Sequence, residues 1–186
     1  MRKSHNHAGP AAAPKRRRLR PRKRKPTIGW REWVGLPALG IERIKAKVDT
    51  GARTAALHAW SIEPFDRNGE TWVRFDIHPV QRDNQIRVSC EARLRGRRAV
   101  RSSGGHSQMR LVIVTEVILG GQSWPIEVTL TNRDQMGFRM LLGRASVRGR
   151  FVVDPSTSYR GRKLNADGQV HVGTDRHVST ERKNGS

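Results

Sequence analysis

The feature that most constrains this chain is a two-residue hydrophobic rhythm that returns in segment after segment. Ile44, Ala46 and Val48 alternate with Lys45 and Lys47, and Val73, Phe75 and Ile77 alternate with Arg74 and Asp76. Trp124, Ile126, Val128 and Leu130 repeat the pattern. Successive side chains of a strand point to opposite faces, so this alternation describes half-buried strands and an all-β domain. Met109 to Leu119 is an almost unbroken apolar run and reads as a strand buried on both faces. Gly120-Gly121 then makes a tight turn, and Pro125 predicts an edge or a bulge on the returning strand. Phe151-Val152-Val153 reads as a last short strand. Helix signals are few: Thr54 to Ala59 predicts a short turn, and Ala145 to Arg148 another after Gly143.

Charge divides the chain into three parts. The formal net charge is +21, yet residues 1–26 hold eleven Lys and Arg and no acidic residue. Lys15-Arg16-Arg17-Arg18 and Arg22-Lys23-Arg24-Lys25 are interrupted by Pro14, Pro21 and Pro26. Such a run repels itself and has little to bury, so residues 1–26 are expected to be a disordered basic arm. The arm lacks the apolar stretch of a signal peptide, and no segment is long and apolar enough to span a membrane. Such an arm suits weak, nonspecific contact with nucleic acid through counterion release, or with an anionic membrane surface. From residue 159 the chain is polar, Gly-containing and aperiodic, which predicts a disordered tail over 159–186. The folded domain is expected over 27–158. Cys90 is the only cysteine, which excludes an internal disulfide and a cysteine-rich zinc site. It falls on the apolar side of an alternating strand, so it reads as a buried structural thiol, in keeping with a reducing cytoplasm.

The strand ending at Val48 delivers Asp49-Thr50-Gly51-Ala52, and a second apolar run, Met140-Leu141-Leu142, ends in Gly143-Arg144. A carboxylate so placed suits hydrolysis by a carboxyl pair. Two carboxyl groups a few ångströms apart cannot both ionise, so they share one proton. One then takes a proton from water while the other gives one to a carbonyl oxygen. Thr50 offers a hydroxyl to brace facing loops, Gly51 lets backbone amides approach the carboxylate, and Ala52 is small enough for two such loops to pack. The motif occurs once and no internal repeat is visible. Each chain therefore supplies one carboxylate, and a two-fold homodimer would place Asp49 beside its own copy.

Four segments carry a family resemblance: Ile28-Gly29-Trp30-Arg31-Glu32-Trp33-Val34, Lys45 to His58, Ser103-Gly104-Gly105-His106, and Thr131 to Arg144. Over residues 27–158 the chain resembles the bacterial retropepsin-like aspartic endopeptidases, also labelled ATP-dependent zinc proteases. Some of these are associated with ATP-grasp peptide ligases. The resemblance implies a single-lobed, closed β-barrel of the retropepsin (acid protease) type, with one short helix after Leu-Leu-Gly-Arg. It implies an aspartic-type endopeptidase with peptide or protein substrates, Asp49 as the catalytic residue and Thr50, Gly51 and Ala52 as its loop. It further implies a flap at Ser103, Gly104, Gly105 and His106, a loop support at Gly143 and Arg144, and an ATP-grasp ligase as a partner. Two alternatives stand beside this: a non-catalytic retropepsin-fold protein that binds peptides or partners, and a nucleic-acid binder acting through the arm. Viral retropepsins, which show the same order of elements, commonly place an acidic residue where this chain has Arg53. Arg53 is read as solvent-exposed, or as facing a substrate carboxylate.

No cofactor is expected. There is no His-Glu-x-x-His and no pair of histidines at helical spacing, so no metal site is assigned. His58, His78 and His106 could meet only through the fold. No phosphate-binding Gly-x-x-x-x-Gly-Lys loop is present, so ATP dependence would come from a partner. Of the five tryptophans, Trp30, Trp33, Trp60, Trp72 and Trp124, most are expected in the core or in dimer contacts.

Overall fold

The computed structural model describes residues 24–81, 85–101, 105–132 and 137–163. Most of the basic arm, Ser103 and Gly104 of the expected flap, and the tail beyond Lys163 lie outside the described residues. Within them the chain is mostly β. Eleven strands run in chain order: β1 (Thr27–Gly29), β2 (Arg31–Leu36), β3 (Ile41–Asp49), β4 (Ala55–His58), β5 (Trp60–Arg67) and β6 (Glu70–Ile77) come first. They are followed by β7 (Val88–Arg101), β8 (Ser107–Leu119), β9 (Gln122–Thr131), β10 (Met140–Gly143) and β11 (Val152–Asp154). One short helix, α1 (Arg144–Val147), follows β10 directly. Nine strands form one sheet in the order β2-β3-β10-β4-β9-β8-β7-β6-β5, while β1 and β11 pair as a separate parallel ribbon. A further pairing sets Gly35 of β2 against Ile118 of β8.

The alternating segments behave as their side-chain period requires. Ile44, Ala46 and Val48 of β3 and Val73, Phe75 and Ile77 of β6 all enter the core, joined by Leu57, Met140 and Leu142. Cys90 is buried on β7 as expected, and its Sγ donates to the Leu39 carbonyl at 3.4 Å. Gly120 and Gly121 adopt φ of 59° and 73°, the left-handed pair that a two-residue hairpin between right-twisted strands demands. Pro125 sits opposite Glu116 of β8, but β4 covers β9 only from Val128 to Thr131. The residue without an N–H therefore lies at a local edge.

Two expectations change, and the tryptophans divide. From Ile113 onward β8 is buried on one face only: Val114 and Ile118 are exposed, with Ile113 and Val117 inside, while before it Met109 is exposed and Arg110 and Val112 are buried. A continuous apolar run does not distinguish one covered face from two, and an antiparallel sheet can leave one face to water. Thr54 to Ala59 is not a turn; its centre is β4, held between β9 and β10. Of the tryptophans only Trp124 is fully buried, where its indole Nε1 donates to the Ser146 carbonyl at 3.0 Å and pins α1. Trp30 and Trp33 instead lie half-buried under the guanidinium groups of Arg31 and Arg43.

The fold also runs past the expected boundary to Lys163. Arg160–Lys163 form a 3-10 turn whose Arg160 and Gly161 amides each donate to Glu32 at 2.9 Å. The Gly29 amide donates to the same carboxylate at 2.6 Å, and Glu32 is fully buried. A polar, aperiodic segment carries no hydrophobic signal; it is held because it satisfies a buried charge.

Two close fits generate stability predictions. A Cβ on Gly143 would lie 2.4 Å from the backbone carbonyl of Thr54. Gly143→Ala should therefore cost about 2–3 kcal/mol in urea unfolding, the price of overpacking against backbone. Glu32→Gln would turn an amide NH2 toward amide donors and should cost about 2–3 kcal/mol. An unchanged denaturation midpoint in either variant would contradict the packing described.

Burial, aided by the nearby Asp76 carboxylate, pushes the Cys90 thiol up from 9.0 to about 11. The folded state therefore holds that proton more tightly than the unfolded chain. Its contribution is complete below pH 9 and is lost between pH 9 and 11, by at most about 1.4 kcal/mol per pH unit. Cys90→Ala should show a shallower alkaline loss of stability than the unsubstituted chain, measured by urea unfolding from pH 8 to 11.

Candidate active site

Asp49 is the last residue of β3, and its position follows from the strand on either side. β10 runs parallel to β3, with Leu142 opposite Val48 and Gly143 opposite Asp49. On the other edge β2 pairs with β3, and the Val48 amide donates to the Trp30 carbonyl at 2.8 Å. A parallel pair whose strands end together brings both C-terminal loops to one edge of the sheet. The Asp-Thr-Gly-Ala loop and the Gly143-Arg144 turn, far apart in sequence, meet there.

The loop closes on the carboxylate. The Gly51 and Ala52 amides both donate to Asp49 Oδ1, at 3.0 and 3.1 Å. This leaves Oδ2 free of those two bonds and directs the group outward. Gly51 lies close to the carboxylate: a Cβ there would stand 3.2 Å from the same oxygen, a tight contact. Thr50 and Gly51 are exposed, whereas Asp49 and Ala52 are half-buried.

Gly143 and Arg144 brace this loop from behind. The Arg144 amide donates to the Ala52 carbonyl at 2.7 Å and the Ala145 amide to the Arg53 carbonyl at 2.9 Å. The Arg144 guanidinium reaches the Thr50 carbonyl at 2.9 Å. The first amides of α1, which have no partner inside the helix, thus find theirs in the loop. Gly143 permits the approach, because Thr54 occupies the space a side chain would need.

The Asp49 loop opens onto a cleft of about 670 Å³. Its far wall comes from the end of β7, with Arg98, Val100 and Arg101, and from Arg110 of β8. Arg53 lines the near side. Arg98 is paired with Glu127 at 2.7 Å, and the Arg101 Nε donates to the Gly105 carbonyl at 3.2 Å. Of these arginines only Arg53 adjoins the Asp-Thr-Gly-Ala motif; Arg98, Arg101 and Arg110 do not. The first two stand just before the expected flap, a positional signal; Arg110 reaches the cleft only through its register opposite Arg98.

Of the expected flap, Gly105 and His106 are described and exposed, and Gly105 has φ of 84°. The histidines do not gather around one point. His58 and His78 flank the Trp60 ring, with centroid separations of 3.9 and 4.4 Å. Among the described residues no three of His, Cys, Asp and Glu come together in a way that could hold a metal ion. The described residues do not fit the zinc site that the family's older label implies.

Comparison with known proteins places the chain in a family. The family model for the retropepsin-like aspartic endopeptidase RimB matches residues 27–163. A protein from Shewanella pealeana named probable alpha-L-glutamate ligase is 47% identical over 158 residues, 85% of this chain and 34% of that one. One of the same name from Shewanella halifaxensis is 50% identical over 132 residues, 71% of this chain and 29% of that one. The chain thus spans about a third of the length of these curated relatives. A crystal structure of a Legionella pneumophila protein of unknown function superposes with a TM-score of 0.60 at 29% identity, covering 72% of this chain and 96% of that one. No described helix is long and apolar enough to cross a membrane. By the family match over residues 27–163, the chain belongs to the RimB-like, retropepsin-like aspartic endopeptidase family.

Proposed function

We propose that this chain is an aspartic endopeptidase, working as a homodimer in the cytoplasm with one Asp49 from each copy. The observation that carries the reading is the Asp49 carboxylate, held on one oxygen by two loop amides and facing an open cleft. In this proposal the sheet is a single-lobed closed barrel, with the β2–β8 pairing as its seam. Exposed Thr50 and Gly51 are the surface through which two loops meet on a two-fold axis. Gly143 and Arg144 keep the loop from collapsing when a second carboxylate approaches.

The chemistry then follows from the pair. Two facing Asp49 carboxyls share one proton and hold a water between them. The ionised member takes a proton from the water as its oxygen bonds to the peptide carbon. The protonated member donates to the carbonyl oxygen, giving a neutral tetrahedral diol. The C–N bond breaks as the protonated carboxyl gives its proton to nitrogen and the ionised one takes a proton from a diol hydroxyl, releasing amine and carboxylic acid and leaving one proton shared by the pair. Ser103, Gly104, Gly105 and His106 form the flap that closes over the peptide and excludes water, with the backbone freedom of Gly105 as its support. Zinc plays no part in this scheme.

A second reading draws on the relatives' names: a retropepsin-fold module that acts with an alpha-L-glutamate ligase, without hydrolysis of its own. Only about a third of those proteins is shared, so ligase activity itself is not assigned here. The basic arm adds at most weak nucleic-acid contact.

Peptide hydrolysis across a pH series should peak below neutrality, resist chelators and fall at least about a hundredfold in Asp49→Asn. Analytical ultracentrifugation of the full chain should show a dimer whose dissociation on dilution parallels loss of activity. A monomer that cleaves peptide would overturn the paired-carboxylate mechanism. An inactive wild type whose Asp49→Asn variant binds a ligase equally well would favour the second reading.

A further inference from the structure

We infer that the outer face of β2 and β3, with Trp33 and Tyr159 set among Arg31, Arg43, Lys45 and Lys47, is a docking surface for single-stranded nucleic acid. Bases stack on the ring pair and the cations take the phosphates. This inference stands apart from the endopeptidase reading, because none of these residues belongs to the Asp49 loop or lines its cleft.

The strand period builds the face. On β2 Glu32 and Val34 turn inward, which leaves Arg31 and Trp33 outside. On β3 Ile44, Ala46 and Val48 turn inward, which leaves Arg43, Lys45 and Lys47 outside. In the antiparallel register Trp33 stands opposite Lys45 and Arg31 opposite Lys47. The Arg43 guanidinium lies 4.1 Å from the centre of the Trp33 ring, and the Lys45 ammonium 5.2 Å. Tyr159 comes from the far end of the described chain and stacks on Trp33, with ring centroids 5.9 Å apart and planes 28° from parallel. Its backbone is held at φ of 54°, a conformation an aromatic residue keeps only when its surroundings impose it. Those surroundings are the Arg31 carbonyl, which accepts from the Tyr159 amide at 2.9 Å, and buried Glu32, which holds the next two amides. The Glu32 tie therefore also fixes an aromatic pair at the surface.

Charge distinguishes this face from the far side of the sheet. Arginine also covers rings on β5 and β6, where Arg67 lies over Phe65 and Trp72. There, however, Glu91 pairs with Arg67 and Arg74, and Glu70 with Arg93. Among the described residues none of Arg31, Arg43, Lys45 and Lys47 is in an ion pair. Arg31 opposite Lys47 is a like-charge pair, which costs the sheet stability and is relieved by an anion laid across it. The eleven Lys and Arg of residues 1–26 lead through β1 into the same strand, β2. Phosphates answer these cations, and every base offers a ring face to Trp33 and Tyr159 or to the guanidinium groups beside them. An acidic peptide would use the cations and make no use of the rings. A duplex hides its base faces from them.

The test varies bases and phosphates separately, on the full chain. Fluorescence anisotropy compares a labelled oligothymidylate of about twelve nucleotides with an abasic strand of equal length and charge. Oligothymidylate should bind at least about tenfold more tightly, a difference of about 1.4 kcal/mol. Trp33→Leu should weaken oligothymidylate at least about fivefold and the abasic strand less than about twofold. The exposed pair Arg43→Gln, Lys47→Gln should weaken both strands and flatten the salt dependence. Equal affinity for the two strands overturns the proposal. So does a preference for oligothymidylate that survives Trp33→Leu in a chain whose thermal melt is unchanged, since the bases would then sit elsewhere. If Trp33→Leu fails to fold, the double variant decides, and unchanged binding there overturns the proposal. Binding of phosphatidylserine vesicles or of polyaspartate that depends on Trp33, beside oligothymidylate binding that does not, would assign the face to another anionic partner and overturn it as well.

Discussion

The parallel seam between β3 and β10 is the constraint on which the rest of the site depends. It places Gly143 beside Asp49 and lets α1 begin where its free amides can reach the carbonyls of Ala52 and Arg53. The seam needs two things from the sequence. Apolar residues on both strands must enter the core together, as Val48 and Leu142 do. Position 143 must also lack a side chain, because the Thr54 backbone fills that space. Once both hold, the loop carrying the carboxylate is tied by main-chain hydrogen bonds at its back and is free only at its front. A reactive group held this way loses little freedom when a substrate or a facing carboxylate arrives.

A second buried carboxylate does the opposite work. Glu32 faces no cleft; its oxygens accept from Gly29, Arg160 and Gly161 and join β2 to the end of the described chain. The two acids show how environment assigns role. Asp49 is bound through one oxygen at the rim, whereas Glu32 is enclosed and bound through both. Under the proposed function, removing the carboxylate from each should therefore affect different properties, chemistry for Asp49 and integrity for Glu32.

Legibility in the sequence followed the range of the interactions. The β3, β6 and β9 strands were readable because alternation reports burial residue by residue, and the Gly120-Gly121 hairpin because its turn demands positive φ. The short helix after Leu-Leu-Gly-Arg was readable from position and by resemblance to the family. β4 was not, since Ala55, Ala56 and Leu57 gain strand geometry only from the partners on either side. The extension to Lys163 was hidden for the same reason: Arg160 and Gly161 are placed by a carboxylate far away in the chain. Exposure on β8 was also unreadable, because an apolar run is compatible with one covered face or two.

The sequence by itself determined a mostly β domain, the single Asp-Thr-Gly-Ala motif and its Leu-Leu-Gly-Arg companion. These are local patterns, and each strand or loop carries its own instructions in residue type and period. Tertiary structure alone decided what surrounds Asp49. Arg53 follows it closely in the chain, but Arg98, Arg101 and Arg110 come from two other strands, and only the β7–β8 register sets Arg98 opposite Arg110. Charge in a sequence is a sum without direction, and a fold turns it into a field at one place. That is why net charge pointed to the basic arm while the cationic cleft emerged from the sheet.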